Sequence, residues 1–207
     1  MGLYKGPSCK LCRREGVKLF LKSVKCETAK CPLGKRSYPP GHNGPLFRGK
    51  MSEYAIRLRE KQKARRFYYI SESQFRRYYE VAAKQHGDTG EELLQIVETR
   101  LDNIVFRSGL ASTRRNARLM VKHGHFLVNK KKVDIPSYLM KESDVISIRE
   151  KSLKKFENQL EVSKTKNTAS WITANYDANE YIFNQIPTRE DIDAPINEQL
   201  IIEYYSR

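Results

Sequence analysis

The chain has 207 residues, with 39 Lys and Arg against 24 Asp and Glu and a net charge of +15. This length suits one sizeable domain or two modest ones. The positive excess is what phosphate neutralisation requires and favours a nucleic-acid partner. The sequence lacks any run of about 18 apolar residues, which excludes a membrane-spanning role, and we expect no membrane partner.

The charge is arranged in blocks along the chain. Residues 1–70 carry a net charge of +14 and residues 100–155 carry +9, whereas residues 71–99 carry −3 and the last 41 residues carry −5. Two basic blocks separated by a weakly acidic one predict two nucleic-acid contact surfaces. The acidic C-terminal end is predicted to face away from phosphate.

The first block contains every cysteine of the chain: Cys9, Cys12, Cys26 and Cys31. Four thiolates at this spacing predict one tetrahedral zinc ion, and an iron–sulfur cluster is a minor alternative. Two disulfides are disfavoured because no secretion signal is seen before the first cysteine. A site with four protein ligands has no open position, so the metal is expected to be structural.

Basic and aromatic residues surround the cysteines and continue into a loop rich in proline and glycine at residues 36–45. The loop is either a contact segment for RNA or a stiff connector, and its basic flanks favour contact. The candidate RNA-binding residues of this region are Lys10, Arg13, Arg14, Lys18, Arg36, Tyr38, His42 and Lys50.

Ser52 is predicted to cap a helix that runs to about Tyr69. The helix carries six basic residues within ten positions. These charges repel one another, and a phosphate partner would relieve the repulsion, although a solvated face is the simpler alternative. Its candidate RNA-binding residues are Arg57, Arg59, Lys61, Arg65 and Arg66.

Two further helices are predicted before residue 110. Ser71 with Gln74 resembles a capping box that opens a helix ending at Gly87. Thr89 opens the next helix, in which apolar residues from Leu93 to Val105 recur at helical spacing and predict core, and Gly109 ends it.

A compact basic module follows. Ser112 is predicted to cap a short helix, and strands are predicted at Phe126–Val128, Val133–Ile135 and Val145–Arg149. Its candidate RNA-binding residues are Arg114, Arg115, Arg118, Lys122, His123, His125, Lys131 and Arg149. The two histidines could instead serve a metal or acid–base chemistry, but no acidic partner is near them in sequence, and we predict no catalytic residue.

The predicted fold class is α+β. We expect a zinc-stapled basic segment at 1–45, a helical domain at 46–98, the RNA-binding module at 99–155, and at 156–207 a connector and acidic region that packs back on the helical domain. The module is expected to have two helices and a small antiparallel sheet.

Three blocks of the sequence closely resemble the bacterial-type S-four family of small-subunit ribosomal proteins. They are CKLCRREGVKLFLK (Cys9 to Lys22) with RSYPPGHNG (Arg36 to Gly44), then RLDNIVFRSGLASTRRNARLMVKHGHFLVN (Arg100 to Asn129) with DIPSY, and PTREDIDAPINEQLIIEYYS (Pro187 to Ser206). The hairpin departs from the family in having Asn129-Lys130 where many members have Asn-Gly, which affects local turn geometry alone.

The resemblance implies a cytoplasmic ribosomal protein that binds a helix junction in the 5′ domain of small-subunit ribosomal RNA and nucleates assembly. It implies contact with the neighbouring protein S-five, a role in translational accuracy and a position near messenger RNA as it enters the subunit. In members that keep the four cysteines, the matching positions bind zinc. The resemblance also implies that the small module is inserted into the helical domain.

Two alternatives belong to other classes. The small module also occurs in RNA-modifying and tRNA-handling enzymes, but we find no phosphate-binding glycine loop and no nucleophile motif here. A zinc-containing regulator of DNA would place one helix in the major groove, whereas this chain spreads basic loops and helices, as a binder of folded RNA does.

Overall fold

The computed structural model describes Tyr4 and residues 6–46, 49–165 and 168–206. The chain forms two compact units. Unit 1 comprises Met1–Leu93 and Ala194–Arg207, and unit 2 comprises Leu94–Asp193. Unit 2 is therefore inserted into the sequence of unit 1. Helices together with an antiparallel sheet confirm the α+β class.

In the described residues, seven α-helices come before the first strand, and the strands lie between Phe126 and Phe183. The helices are α1 (Ser8–Glu15), α2 (Pro32–Lys35), α3 (Glu53–Phe67), α4 (Glu72–Ala82), α5 (Thr89–Glu98), α6 (Leu101–Arg107), α7 (Arg114–Lys122), α8 (Leu153–Thr165) and α9 (Glu198–Tyr205), with 3-10 turns at Ser23–Cys26 and Glu150–Ser152. The strands are β1 (Phe126–Val128), β2 (Lys131–Lys132), β3 (Val145–Ile148), β4 (Ile172–Asn175) and β5 (Glu180–Phe183).

Serine side chains set the starts of α3 and α4, as the sequence predicts. Ser52 Oγ accepts a hydrogen bond from the backbone N–H of Ala55, and Ser71 Oγ accepts one from Gln74. Each serine satisfies a backbone donor that has no partner within its own helix. The end of α4 differs from the prediction, because the helix stops at Ala82 instead of continuing to Gly87.

The single helix predicted after Thr89 is two helices, because the chain leaves helical geometry at Arg100 (φ −69°, ψ 139°). Here Arg100 forms a β-bridge with Leu139, and the N–H of Leu101 donates to the carbonyl of Tyr138 at 2.8 Å. The apolar spacing continues through the break, so periodicity alone does not reveal it. At the start of α5, Asp88 Oδ1 accepts from the backbone N–H groups of residues 90 and 91, a role that the sequence analysis gave to Thr89.

The cap of α7 and the second strand of the hairpin also differ from the predictions. Thr113, not Ser112, accepts from the N–H of Asn116. Asn129 and Lys130 both have positive φ (48° and 65°) and form a two-residue turn, so β2 starts directly after it. The strand predicted at Val133–Ile135 therefore lies two residues too late.

In the described part of the chain, the five strands form one antiparallel sheet in the order β2-β1-β3-β5-β4. The β4–β5 hairpin joins the sheet through β3, where Val145 pairs with Ile182. Phe126, Phe156 and Tyr181 are almost fully buried in the core of unit 2. Residues up to Asp193 thus belong to unit 2, and the predicted region 156–207 is divided between the two units.

The core of unit 1 includes the contact between α3 and α9. Ala64 and Ile201 are completely buried, and the ring of Tyr205 stacks on that of Tyr79 with centroids 4.8 Å apart. Residues 194–207 are therefore part of unit 1. Within the described residues, no helix is both long and apolar enough to cross a membrane.

Candidate nucleic-acid interface

Helix α7 has one apolar side and one basic side. Ala117 and Val121 are completely buried. The basic residues at spacings of three and four, which place side chains on one helix face, are Arg115, Arg118 and Lys122. Arg115 and Lys122 are exposed, and Arg118 is half-buried. The structure thus brings three of the predicted RNA-binding residues onto one face.

Arg118 shares a carboxylate with a buried arginine. Its Nη1 donates to Asp102 Oδ2 at 3.0 Å, and Nη2 of Arg100 donates to the same oxygen at 2.6 Å. Arg100 is completely buried and Asp102 is 4% exposed. No pattern in the sequence marks Asp102 as a functional residue. Its spacing from Arg100 and Arg118 is not a motif, and the tertiary fold is what brings the three together.

Arg114 was predicted to contact RNA, but its side chain is used inside the fold. It is 7% exposed, its Nε donates to Asn103 Oδ1 at 2.8 Å, and its guanidinium lies 4.4 Å from the centroid of the Phe106 ring. The Arg114 side chain therefore joins α6 and α7 inside the fold. We therefore remove Arg114 from the RNA-contact set.

The C-terminal end of α7 carries the two histidines. His123 is exposed, whereas His125 is half-buried and its Nδ1 lies 2.9 Å from Ser152 Oγ. Burial lowers the pKa of His125, and the nearby charge of Lys155 lowers it further. Burial and this positive charge therefore disfavour the cationic form of His125. Arg149, predicted as a contact, donates to the carbonyl of Gly124 at 3.1 Å and steadies this turn.

The β1–β2 hairpin presents its lysines to solvent. Lys130 and Lys131 are exposed. The base of the hairpin is fixed by Asn129, whose Nδ2 donates to Asp144 Oδ1 at 2.8 Å. Lys131 is therefore available to a partner from a rigid turn.

In unit 1, Arg13 fixes the proline-rich loop onto α1. Its Nε donates to the carbonyl of Tyr38 at 3.1 Å and its Nη2 to that of Pro39 at 3.2 Å, while its guanidinium lies 4.8 Å from the Tyr38 ring centroid. The remaining predicted contacts of this region are all exposed: Lys10, Arg14, Lys18, Arg36, His42 and Lys50.

The basic residues of α3 have carboxylate partners within unit 1. Glu15, whose side chain is 1% exposed, pairs with Arg66 and, at 3.4 Å, with Arg59. Burial raises the pKa of Glu15 against the opposing effect of Arg66, and burial likewise lowers the pKa of Arg66. The desolvation cost of this cluster is therefore substantial.

The other cations of α3 are paired as well. Arg57 pairs with Glu53 and Glu203, Lys61 and Arg65 with Glu72, and Lys63 with Glu60. Lys61 is 4% exposed and lies 4.4 Å from the ring centroid of Tyr204. These carboxylates already offset the repulsion along α3, so the repulsion by itself does not require a phosphate partner. Burial also removes Lys61 from the RNA-contact set.

The four cysteines are free thiols, with Cys9 half-buried and the other three buried. Burial raises the pKa of Cys12, and the other three cysteines add to the rise, so the thiols are near enough to influence one another. The backbone N–H of Lys22 donates to Cys26 Sγ at 3.3 Å. Even so, among the described residues no group of three or more His, Cys, Asp or Glu side chains is placed to hold a metal ion.

Known protein families match both basic regions of the chain. The family model for the ribosomal protein S4/S9 N-terminal domain matches residues 3–98, and that for the S4 domain matches residues 99–146. Small ribosomal subunit protein uS4 of Acetivibrio thermocellus is 54% identical to this chain, that of Thermoanaerobacter pseudethanolicus 53% and that of Dictyoglomus turgidum 49%, each over the whole of both chains. The chain belongs to the uS4 family of small ribosomal subunit proteins.

The two family models correspond to the two basic regions. The S4 domain match contains α6, α7, β1, β2 and the start of β3, and so includes Arg118, Lys131 and Asp102. Strands β4 and β5 complete the sheet but lie beyond that match. The uS4 fold of this chain therefore carries its S4 domain within a larger unit.

Proposed function

We infer that this chain is a structural constituent of the small ribosomal subunit, that it binds small-subunit ribosomal RNA and that it is not an enzyme. The supporting observation is that the chain is 51–54% identical, over its full length, to relatives named small ribosomal subunit protein uS4 or uS4A. Its place of action is the cytoplasmic ribosome. The enzyme and regulator alternatives predict a different partner domain beside the S4 domain, whereas both parts of this chain match one family.

Each unit supplies one set of basic residues to RNA. The unit 1 basic set is Lys10, Arg14, Lys18, Arg36, His42 and Lys50, and the unit 2 basic set is Arg115, Arg118, Lys122, His123 and Lys131. Cationic side chains release counterions from the RNA backbone when they bind phosphate, which makes affinity depend on salt. A chain with two such sets can hold two RNA segments at once.

The finer proposal follows the family resemblance. The RNA site is a helix junction in the 5′ domain, where binding fixes the helices early in assembly. Contact with protein S-five supports translational accuracy, and part of the chain lies near incoming messenger RNA. Support for these three partners comes from the resemblance of the sequence blocks.

Binding to a 5′-domain fragment tests the RNA proposal. The control is a structured RNA of equal length, measured at moderate salt by fluorescence anisotropy. We expect strong preference for the ribosomal fragment, with affinity falling roughly a thousandfold between about 50 and 200 mM salt if about six phosphates are contacted. Equal affinity for both RNAs would favour the enzyme or regulator alternatives.

We propose that Cys9, Cys12, Cys26 and Cys31 are the four ligands of one zinc ion. The donor chemistry fits, since all four are free thiols and three are buried. Zinc would offset two of the four thiolate charges and cross-link the N-terminal segment, and its binding free energy would contribute to folding. Because all four ligands are protein thiolates, its role is structural.

The metal test uses purified protein and Cys26→Ser. Elemental analysis should give one zinc per chain, and an absorption spectrum without iron–sulfur bands would reject the iron alternative. In hydrogen exchange, Cys26→Ser should lose protection in residues 6–45 and keep it in 100–150. Protection lost equally in both regions, or protein without metal, would contradict the proposal.

A further inference from the structure

Asp102 in α6 is a buried carboxylate that two guanidinium groups share. Arg100 contacts both of its oxygens, Nε to Oδ1 at 2.9 Å and Nη2 to Oδ2 at 2.6 Å. That bidentate pair is enough to neutralise one buried arginine. Arg118 then adds a second cation at 3.0 Å, so the three side chains together carry one net positive charge.

Arg118 is the member of this group that can bind an anion outside the protein. Its side chain is 24% exposed, on the same face of α7 as Arg115 and Lys122. Among the residues that the structure describes, the single hydrogen bond of Arg118 is the one from Nη1 to Asp102. Its Nε and Nη2 are left for an outside acceptor, and a guanidinium fork matches the oxygens of a phosphate.

We propose that Asp102 is a positioning residue for RNA binding, which holds the Arg118 fork so that it takes one backbone phosphate. The phosphate would give Arg118 a second anionic partner beside the carboxylate that it shares with Arg100. Because a long arginine side chain loses rotamer freedom when it binds, fixing it beforehand lowers the cost of contact. This inference rests on the proposed RNA-binding function.

The change in RNA affinity expected for Asp102 is opposite to the change expected for other acidic residues. Long-range electrostatics alone predicts that removing an acidic residue strengthens RNA binding, because the protein becomes more positive. If Asp102 orients Arg118, removing its charge weakens binding. Asp134 is the matched control, since it is an exposed acid of the same unit that lies 3.6 Å from Lys132.

A double-mutant cycle separates positioning from a merely structural role. The variants are Asp102→Asn, Arg118→Ala and both together, with the 5′-domain RNA fragment as probe near 150 mM salt. We expect Asp102→Asn to weaken binding about fivefold, Arg118→Ala about tenfold and the double variant no more than Arg118→Ala. Asp134→Asn should bind as tightly as the wild type or slightly more tightly.

Two outcomes would overturn the proposal. One is the same fivefold loss when Asp102→Asn is added to Arg118→Ala, and the other is an Asp102→Asn protein that binds as well as Asp134→Asn. If Asp102→Asn fails to fold, Arg118→Lys is the deciding variant, because lysine keeps the positive charge but lacks the guanidinium fork. We expect Arg118→Lys to bind about tenfold more weakly than the wild type. Wild-type affinity in Arg118→Lys would reject the proposal.

Failure of the proposed function would look different. A wild-type protein that shows no preference for the ribosomal fragment would reject the function, yet the same cycle can be measured on the control RNA. Coupling between Asp102 and Arg118 on that RNA would still support the positioning role, and additivity would still reject it.

Discussion

Helices α3 and α7 are both rich in Lys and Arg, but their charges have different partners. Each of the six basic residues of α3 forms an ion pair with a carboxylate of unit 1. In α7, Arg118 shares its carboxylate with Arg100, and Lys122 is exposed without a carboxylate partner among the described residues. The number of basic residues therefore overestimates how many can contact RNA on α3. On α7 the same count is a better guide.

The ion pairs of α3 affect stability differently from the exposed basic residues of α7. Ion pairs with a buried partner involve desolvation, and losing one member leaves an uncompensated charge. Removing the carboxylate partner of an arginine or lysine of α3 should therefore destabilise unit 1, whereas the exposed basic residues of α7 can be changed with less effect on the fold. Substitutions in the two helices should separate stability from RNA binding.

The largest expected effect is on stability, in Glu15→Gln. Loss of the carboxylate leaves Arg59 and Arg66 without their shared partner, and we expect a decrease of about 2 to 3 kcal/mol in the free energy of unfolding, since both arginines can partly reach solvent. Urea denaturation measures this. Glu27→Gln is the control, because Glu27 is exposed, and its effect should stay within about 0.5 kcal/mol. Equal stability of the two variants would contradict the structural role of the α3 pairs.

A smaller effect is expected on RNA binding when lysines of the two helices are compared. Lys122→Ala should weaken binding to the 5′-domain fragment by about fivefold and lower the salt slope by about one, as the loss of one phosphate contact requires. Lys63→Ala removes a lysine that pairs with Glu60 at 2.7 Å. Anisotropy titrations at several salt concentrations should show little change for Lys63→Ala, and equal losses in both variants would remove the distinction between the helices.

The smallest effect concerns pH and His125 at the end of α7. Burial holds its folded-state pKa below the unfolded value, so the unfolded chain binds the proton more readily. The stability contribution is present above about pH 6.5 and is lost as the pH falls toward the folded-state pKa. Between pH 7.5 and 6, the Tm of the wild type should fall slightly more than that of His125→Asn. An identical pH dependence in the two proteins would show that His125 does not titrate in this way.

Local chemistry explains which elements could be predicted. The Ser52 and Ser71 caps depend on a side chain and a backbone N–H three residues away, and both are found. The bounds of β1 follow from a short apolar run and are also as predicted. The break at Arg100 could not be read from spacing, since it depends on backbone bonds to residues near 138.

The sequence by itself determined the α+β class, the family and the exposed basic residues of α7 and the N-terminal segment. Composition, capping residues and motif blocks are local properties of the sequence, so they can be recognised without knowledge of the fold. Only the tertiary structure decided that β4 and β5 complete the sheet of unit 2 and that Glu15 and Glu72 pair with α3. It also placed Asp102 between Arg100 and Arg118. Some of these contacts, such as that of Arg66 with Glu15, join residues far apart in the chain, and the others depend on how the helices pack. Burial and an ionic partner change the cost of keeping a charge, so the same residue type has different roles in different surroundings.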